Sequence, residues 1–183
     1  MRDRGRGAAR TARQRGERGF TLAELLAGLS IAMLVLGLAL PRWQGWLAEQ
    51  RVEAASSRLL AGIAQARASA IRSGATVRLC AASAQGSCST QREWGFGWLS
   101  QPSGSAGGPA LYRHARPPAG VRVEALATAL QEGVLFEGRG FAMRASGGFA
   151  SGSWLVCATG ARARTITLAP SGRARLSTGA PCS

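Results

Sequence analysis

Side chains that could act as a general base or bind a metal are scarce in this sequence. The only histidine is His114, the only aspartate is Asp3, and the other acidic residues are scattered glutamates. Hydrolytic and metal-assisted mechanisms need a base held by a partner group, or three or four clustered ligands. We therefore expect no enzymatic activity, no metal site and no cofactor. The context "LYRHARPP" predicts that His114 is a residue of a surface loop.

The four cysteines, Cys80, Cys88, Cys157 and Cys182, could form two disulfides. An even number is typical of disulfides in an exported chain, and four cysteines can pair in three ways. The short segment "CAASAQGSC" favours Cys80 with Cys88, which leaves Cys157 for Cys182. A zinc site is a weaker alternative, because no two cysteines have C-x-x-C spacing and no histidine cluster accompanies them.

Arginine supplies all of the positive charge. The chain has 23 basic residues, none of them lysine, against 9 acidic ones, for a net charge of +14. The segment "GRAR" places Arg173 and Arg175 two positions apart, directly after Gly172. Residues two apart in a strand share one face, so both guanidinium groups would project together while Ala174 points the other way. Glycine permits a tight turn before such a strand.

Arg162 and Arg164 repeat this spacing one predicted strand earlier. By parity they share a face with Ile166, so a bulge or a late strand start would be needed to expose them. Exposed guanidinium groups hold phosphates by charge and by their forked geometry, without reading base sequence. A solvated strand face is the alternative interpretation, because arginines two apart arise by chance where every basic residue is arginine.

The elements that must position these groups begin with an apolar run from Phe20 to Leu40, whose single charge is Glu24. As a helix this run is long enough to cross a bilayer, and seven arginines precede it, which predicts a cytoplasmic N-terminus and an exported C-terminal part. A cleaved signal peptide is disfavoured, because the run exceeds a typical h-region and "LALPRW" lacks a small-x-small site.

Helical periodicity continues beyond the apolar run. Apolar side chains recur every three or four residues, which predicts one continuous helix from about Phe20 to Ser73 with Gly74 as its C-terminal stop; they are Val52, Ala55, Leu59, Ile63, Ala66 and Ala70. After Gly74 the chain consists of short apolar segments separated by glycine, serine and proline, which predicts strands. The predicted strands are "ATVRLC", "FGWLS", "PALYRHA", "GVRVEAL", "GVLFEGRGF", "SWLVCATG", "RTITLAP" and "GRARLST", with a flexible loop at 101–108.

The predicted fold class is therefore α+β, with a long N-terminal helix packed on a C-terminal antiparallel β-rich domain made of one sheet or a pair of sheets. We expect four regions. They are a basic leader at 1–19, a transmembrane and assembly helix at 20–40, its amphipathic continuation at 41–73 and the β-rich domain at 74–183.

A basic leader ending in glycine, then "FTLAE", then an apolar run closed by proline resembles the class III signal of type IV pilins and type II secretion pseudopilins. The resemblance implies that a prepilin peptidase cleaves between Gly19 and Phe20 and N-methylates the new terminus. It also implies that Glu24, the fifth mature residue, acts in assembly. We expect the methylated α-amine of Phe20, in the next subunit or in the same chain, to be the partner of this carboxylate.

The remainder resembles the GspH/FimT branch of minor pilins and pseudopilins, through "AQARASAIRSGATVRLC", "GFGWLS" and the segment from "SWLVCATG" to the last cysteine. The resemblance implies a pilin-like fold with a periplasmic domain, a single-pass inner-membrane anchor, and incorporation with other pilins or pseudopilins into a filament. In this family, subunits for DNA uptake carry a C-terminal Gly-Arg-x-Arg motif. That implies contact with double-stranded DNA, without sequence preference, through Gly172, Arg173 and Arg175, with Arg162 and Arg164 as additional candidates.

Two functions therefore remain open. The first is a minor pilin that assembles, primes or caps a type IV pilus and binds DNA during natural transformation. The second is a type II secretion pseudopilin that acts in protein export without binding DNA. Beyond the leader, sixteen arginines and seven glutamates give a net charge of +9, which favours an anionic partner. An anionic cell-envelope surface, or a genomic preference for arginine codons, would explain this charge as well as DNA does.

Overall fold

The computed structural model describes residues 20–104 and 110–182, and for residues 38–42 it describes the backbone alone. The predicted leader and part of the predicted loop at 101–108 lie outside these ranges. A long helix precedes the β-rich region, as predicted. The elements are α1 Leu22–Ser73, β1 Val77–Ala82, β2 Cys88–Ser89, β3 Trp98–Pro102, β4 Tyr112–His114, β5 Arg122–Ala125, α2 Thr128–Gln131, β6 Val134–Phe136, β7 Ala142–Arg144, β8 Gly152–Cys157, β9 Arg162–Leu168 and β10 Ala174–Pro181.

The described residues divide into two compact units, with the boundary between Leu40 and Pro41. In the first unit, every described side chain along α1 is exposed. Leu22, for example, is 78% exposed and Leu36 is 58% exposed. Across the described ranges, no helix has both the length and the apolar character needed to cross a membrane.

The part of α1 after Pro41 buries the stripe that its periodicity predicts. Val52, Ala55, Leu59, Ile63, Ala66 and Ala70 are each at most 1% exposed. Gly62 lies beside this stripe and brings the helix backbone close to the sheet, since a Cβ there would lie 2.6 Å from Trp98 Nε1. The helix ends before Gly74, whose φ of 66° is left-handed, as expected for a helix C-terminus.

Two antiparallel sheets form the rest of the second unit. The first has the strand order β4-β3-β1-β6-β7, with β2 paired to β1, and the second has the order β10-β9-β8-β5. Their inner faces and the buried stripe of α1 share one hydrophobic core, whose largest side chains are Trp94, Trp98 and Trp154, all at most 1% exposed. The expected α+β architecture is confirmed, in its two-sheet form.

The structure corrects the prediction of one strand over "GVLFEGRGF". This segment is β6, a tight turn and the approach to β7, because Gly140 N–H bonds the Glu137 carbonyl at 2.7 Å and Gly140 has a φ of 83°. Only glycine adopts that conformation at low cost, so the strand must turn there. The two-residue β2, the short β7 and the four-residue α2 were not predicted, because elements this short carry little periodicity.

Candidate functional site

Glu24 closes the N-terminal end of α1 against Thr21. The Glu24 carboxylate accepts hydrogen bonds from the Thr21 backbone N–H and hydroxyl, both at 2.9 Å. In return, the Glu24 backbone N–H donates to the Thr21 hydroxyl at 3.3 Å. This reciprocal pair is a capping box, which satisfies donors that the first turn of a helix leaves free. Glu24, the predicted assembly residue, therefore also caps the N-terminus of α1. Gly19, on the other side of the predicted cleavage site, lies outside the described residues.

A tight turn between β9 and β10 presents the Gly-Arg-Ala-Arg segment. Gly172 N–H donates to the Ala169 carbonyl and Ala169 N–H donates to the Arg173 carbonyl, each at 2.9 Å. Pro170 suits the second position of such a turn, and Gly172 takes the left-handed position that follows, with a φ of 75°. Gly172 is buried, and a Cβ on it would overlap the Gly140 carbonyl oxygen. Glycine is therefore required here both for conformation and for space.

The alternation predicted for this segment is present in β10. Arg173 and Arg175 are exposed. Ala174 and Leu176 are partly buried and pack against the core. The two guanidinium groups therefore extend from one face of a strand whose other face is held by the core.

Arg175 continues into a row of hydroxyl groups across the outer face of the second sheet. Arg175 pairs with Thr167 on β9, and Thr167 pairs with Ser153 on β8. The Ser153 and Thr167 hydroxyls are 3.0 Å apart and hydrogen bonded. Arginine, serine and threonine are frequent donors to phosphate oxygens, so this row offers phosphate-binding groups across three strands.

Arg67 of α1 contacts the β9–β10 turn and helps to fix its position. Arg67 donates through Nε to the Gly140 carbonyl at 3.0 Å and through Nη2 to the Ser171 carbonyl at 3.2 Å. It thereby links the β6–β7 turn to the β9–β10 turn. Next to it, α1 and the start of β10 border an open cleft of about 330 Å³, whose lining includes Ile63, Ile71 and Arg173.

Arg162 and Arg164 do not join Arg173 and Arg175 on the outer face. Arg164 lies on the side of Ile166, as its parity predicts, where it forms an ion pair with Glu53 of α1 at 2.7 Å. It also donates to the Thr178 hydroxyl at 2.6 Å. Arg162 is exposed, and its backbone N–H donates to the Glu49 carboxylate at 3.2 Å. The only register shift in this pair of strands lies in β10, between Thr178 and Pro181, and it leaves Arg164 facing the helix.

The cysteines pair as the sequence spacing favours. Cys80 bonds Cys88, with 5.5 Å between their Cα atoms, and Cys157 bonds Cys182, at 5.8 Å. The first disulfide joins β1 to β2, and the second ties the end of β10 to β8. In residues 20–104 and 110–182, no three His, Cys, Asp or Glu side chains lie together in a way that could hold a metal.

His114 lies at the end of β4 instead of in a loop, which corrects the prediction for this residue. Its ring stacks on Trp98, with 5.6 Å between the ring centroids and 25° between the planes. Partial burial lowers the pKa of His114 below its usual value, because the charged form loses water. The contacts around this ring are packing contacts.

Sequence reasoning missed Thr21, Arg67, Thr167 and Ser153 as parts of these sites. The capping box could have been found, because "TLAE" has the pattern S/T-x-x-E just before an apolar run. Arg67 carries no such signal, since its carbonyl partners are 73 and 104 residues away along the chain.

Comparisons with known proteins find matches for the N-terminal segment and for most of the rest of the chain. Residues 14–40 match the model of the prokaryotic N-terminal methylation motif, and residues 55–172 match that of the type II transport protein GspH. Two crystal structures of the type IV minor pilin FimU from Pseudomonas aeruginosa PAO1 share the fold, with TM-scores of 0.57 and 0.53 and 20% sequence identity. They cover 73% and 72% of this chain, and 95% and 98% of their own length. No curated protein matches the chain.

The GspH match spans well over half of the chain, from the buried stripe of α1 to Gly172 at the turn before β10. The methylation motif covers the predicted cleavage site and the capped start of α1. The chain therefore belongs to the type II transport protein GspH family of pilin-like subunits.

Proposed function

We propose that the chain is a minor subunit of a type IV pilus-like filament that is cleaved between Gly19 and Phe20 and methylated at Phe20. Before assembly, residues 20–40 anchor it in the inner membrane, with the leader in the cytoplasm and the β-rich domain in the periplasm. The observation that carries this proposal is the methylation motif at 14–40, which ends in the apolar run and contains the one charged residue of that run, Glu24.

The capping box sharpens the role of Glu24. A carboxylate in an apolar run costs roughly 2.5 to 3.5 kcal/mol at mid-membrane, and less near the interface. Capping the first turn offsets part of this cost, because it satisfies helix donors that lipid cannot. The negative charge is not needed for that purpose, since glutamine also serves at this position of a capping box. The charge is what a methylated α-amine of a neighbouring subunit would recognise.

Two substitutions separate the cap from the charge. In Glu24→Gln the side-chain oxygen can still accept the capping hydrogen bonds from Thr21, but the negative charge is gone. Glu24→Ala removes both the acceptor and the charge. If the charge docks the subunit, both variants should insert in the membrane and be cleaved, and both should be lost from sheared filaments. Mass spectrometry of the mature N-terminus reports processing, and immunoblotting of the filament fraction reports incorporation. Normal incorporation of Glu24→Gln would contradict the charge role and leave the cap as the function of Glu24.

A second role, binding of duplex DNA at the filament surface, is favoured by the exposed pair Arg173 and Arg175. Both lie on one face, beside the hydroxyl row of Thr167 and Ser153. Such a flat surface suits the phosphate backbone and offers no element that would enter a groove and read bases. Binding would therefore be independent of sequence and sensitive to salt.

The double substitution Arg173→Gln with Arg175→Gln tests this role in gel-shift titrations of the full-length chain in detergent micelles. We expect weaker binding, and a log–log salt slope smaller by up to about 1.8, because two phosphate contacts are lost. The matched control is Arg116→Gln with Arg122→Gln, which removes the same charge. Arg122 lies on β5, at the opposite edge of the sheet from β10. Equal losses in both variants would mean that net charge, and not this face, binds DNA.

Deletion of the gene separates the two machineries when transformation, twitching and protein secretion are scored together. Lost transformation with intact secretion fits the DNA-binding minor pilin. Normal transformation with lost secretion would instead favour the secretion pseudopilin without DNA binding.

A further inference from the structure

Two tryptophans project from α1 just after the apolar run. Trp43 is 60% exposed and Trp46 is 53% exposed, while the other three tryptophans of the chain, Trp94, Trp98 and Trp154, are at most 1% exposed. The two exposed rings lie three residues apart on one helix face, with 5.3 Å between their centroids. Adjacent exposed indoles on a helix form a surface that fits a partner which is apolar on one side and wet on the other.

Their place along the helix matches the boundary of a bilayer. The run from Phe20 to Leu40 is about 31 Å long as a helix, close to the roughly 30 Å of a hydrocarbon core. At about 1.5 Å per residue, Trp43 and Trp46 follow about 4.5 Å and 9 Å beyond Leu40. The headgroup layer is about 5–8 Å thick on each side, so Trp43 falls within it and Trp46 at its outer edge. Tryptophan is enriched at this depth, because its ring is apolar and its N–H needs a polar partner.

The neighbouring surface of the domain is suited to anionic headgroups. The turn after β8 lies against α1 at this level, since a Cβ on Gly45 would lie 3.8 Å from the Gly160 carbonyl oxygen. Two exposed arginines, Arg51 and Arg162, are near this end of the domain. The acids close to them are engaged, because Glu49 accepts the Arg162 N–H and Glu53 pairs with Arg164. Counted together, Arg51, Arg162 and Arg164 still outnumber the two glutamates, so the net local charge is positive.

We infer that Trp43 and Trp46 form an interfacial anchor that holds this end of the periplasmic domain on phospholipid headgroups while the subunit waits in the membrane. The inference rests on the proposed membrane span of residues 20–40. Partition of both rings into the interface fixes the depth of the helix. It also keeps the domain close to the bilayer until the subunit is extracted into a filament.

The test is tryptophan quenching of the full-length chain in phospholipid vesicles by brominated lipids. Because the three core tryptophans are shielded, only Trp43 and Trp46 can be reached from the bilayer. We expect lipids brominated near the headgroup to lower the emission by up to about two fifths, the share of these two among the five tryptophans. Lipids brominated deep in the acyl chain should quench less, and Trp43→Phe with Trp46→Phe should abolish the shallow quenching.

Three outcomes would overturn the inference. Quenching by aqueous acrylamide without quenching by lipid would place the rings in water above the bilayer. Protection from both quenchers would mean that another protein chain covers them. Release of the chain from vesicles by carbonate would contradict the membrane span itself, so this failure is distinguishable from a failure of the anchor alone. The Phe variant does not threaten folding, because both side chains lie outside the core.

Discussion

Gly172 is the residue on which the presentation of the arginine pair depends most directly. It adopts a left-handed φ of 75° and touches the β6–β7 turn, so its role combines backbone conformation and close packing. Gly160 offers a comparison, because its φ of 81° is also left-handed but no atom lies within 4 Å of where its Cβ would be.

Gly172→Ala should lower the free energy of unfolding by about 2–4 kcal/mol, the sum of left-handed strain and overlap with the Gly140 carbonyl oxygen. Gly160→Ala should cost only about 1–2 kcal/mol, because it introduces the strain alone. Urea unfolding of both variants measures the difference. Equal losses would contradict the packing role of Gly172.

At the scale of elements, the arginine motif is held by a contact between the helix and two turns. Arg67 bonds the Gly140 and Ser171 carbonyls, and the Pro170 carbonyl accepts the Ala142 N–H at 2.9 Å. The orientation of β10 therefore depends on α1 as well as on its pairing with β9.

Arg67→Gln should lower the free energy of unfolding by about 1–2 kcal/mol, as expected for lost charge-assisted hydrogen bonds that are only partly buried. Amide hydrogen exchange should become faster at Ala142 and Gly172, while β5 and β8 stay unchanged. Arg72→Gln is the matched control on the same helix, because Arg72 donates to the Ser69 hydroxyl of that helix, at 3.2 Å. Unchanged exchange at Gly172 in Arg67→Gln would contradict the tether.

The sequence was informative about elements whose residues act locally. The buried stripe of α1 follows from a 3.6-residue period, and the outward arginines of β10 follow from a two-residue period, so both could be predicted. The turn inside "GVLFEGRGF" was missed although its glycines are a local signal, because the apolar flanks suggested continuity. The Arg164–Glu53 pair and the Arg67 contacts could not be predicted, since they join segments that only the tertiary fold brings together.

For the whole molecule, the two disulfides close loops of different length. Their cysteines are separated by 8 and 25 residues in the sequence. In the chain-entropy model, a longer loop restricts the unfolded ensemble more, so the second disulfide should contribute more to stability.

Replacing Cys157 and Cys182 by serine should lower the free energy of unfolding by about 3.5 kcal/mol, against about 2.5 kcal/mol for Cys80 and Cys88. Heat or urea unfolding of the two double variants under oxidising conditions gives the comparison. A larger loss from the shorter loop would show that the packing of β2 on β1, and not loop entropy, decides the order.

The edge position of β10 in the second sheet affects whether two molecules can associate through this sheet. β10 ends the strand order, and no described residue forms a further strand on its outer side. Such an edge invites pairing with the same edge of another molecule. Arg173 and Arg175 oppose this by like-charge repulsion, and the register shift before Pro181 breaks the ladder that a second edge would need. The positive charges that suit a polyanion thus also disfavour self-association through β10. An anion that neutralises them would remove the repulsion and allow two such edges to pair.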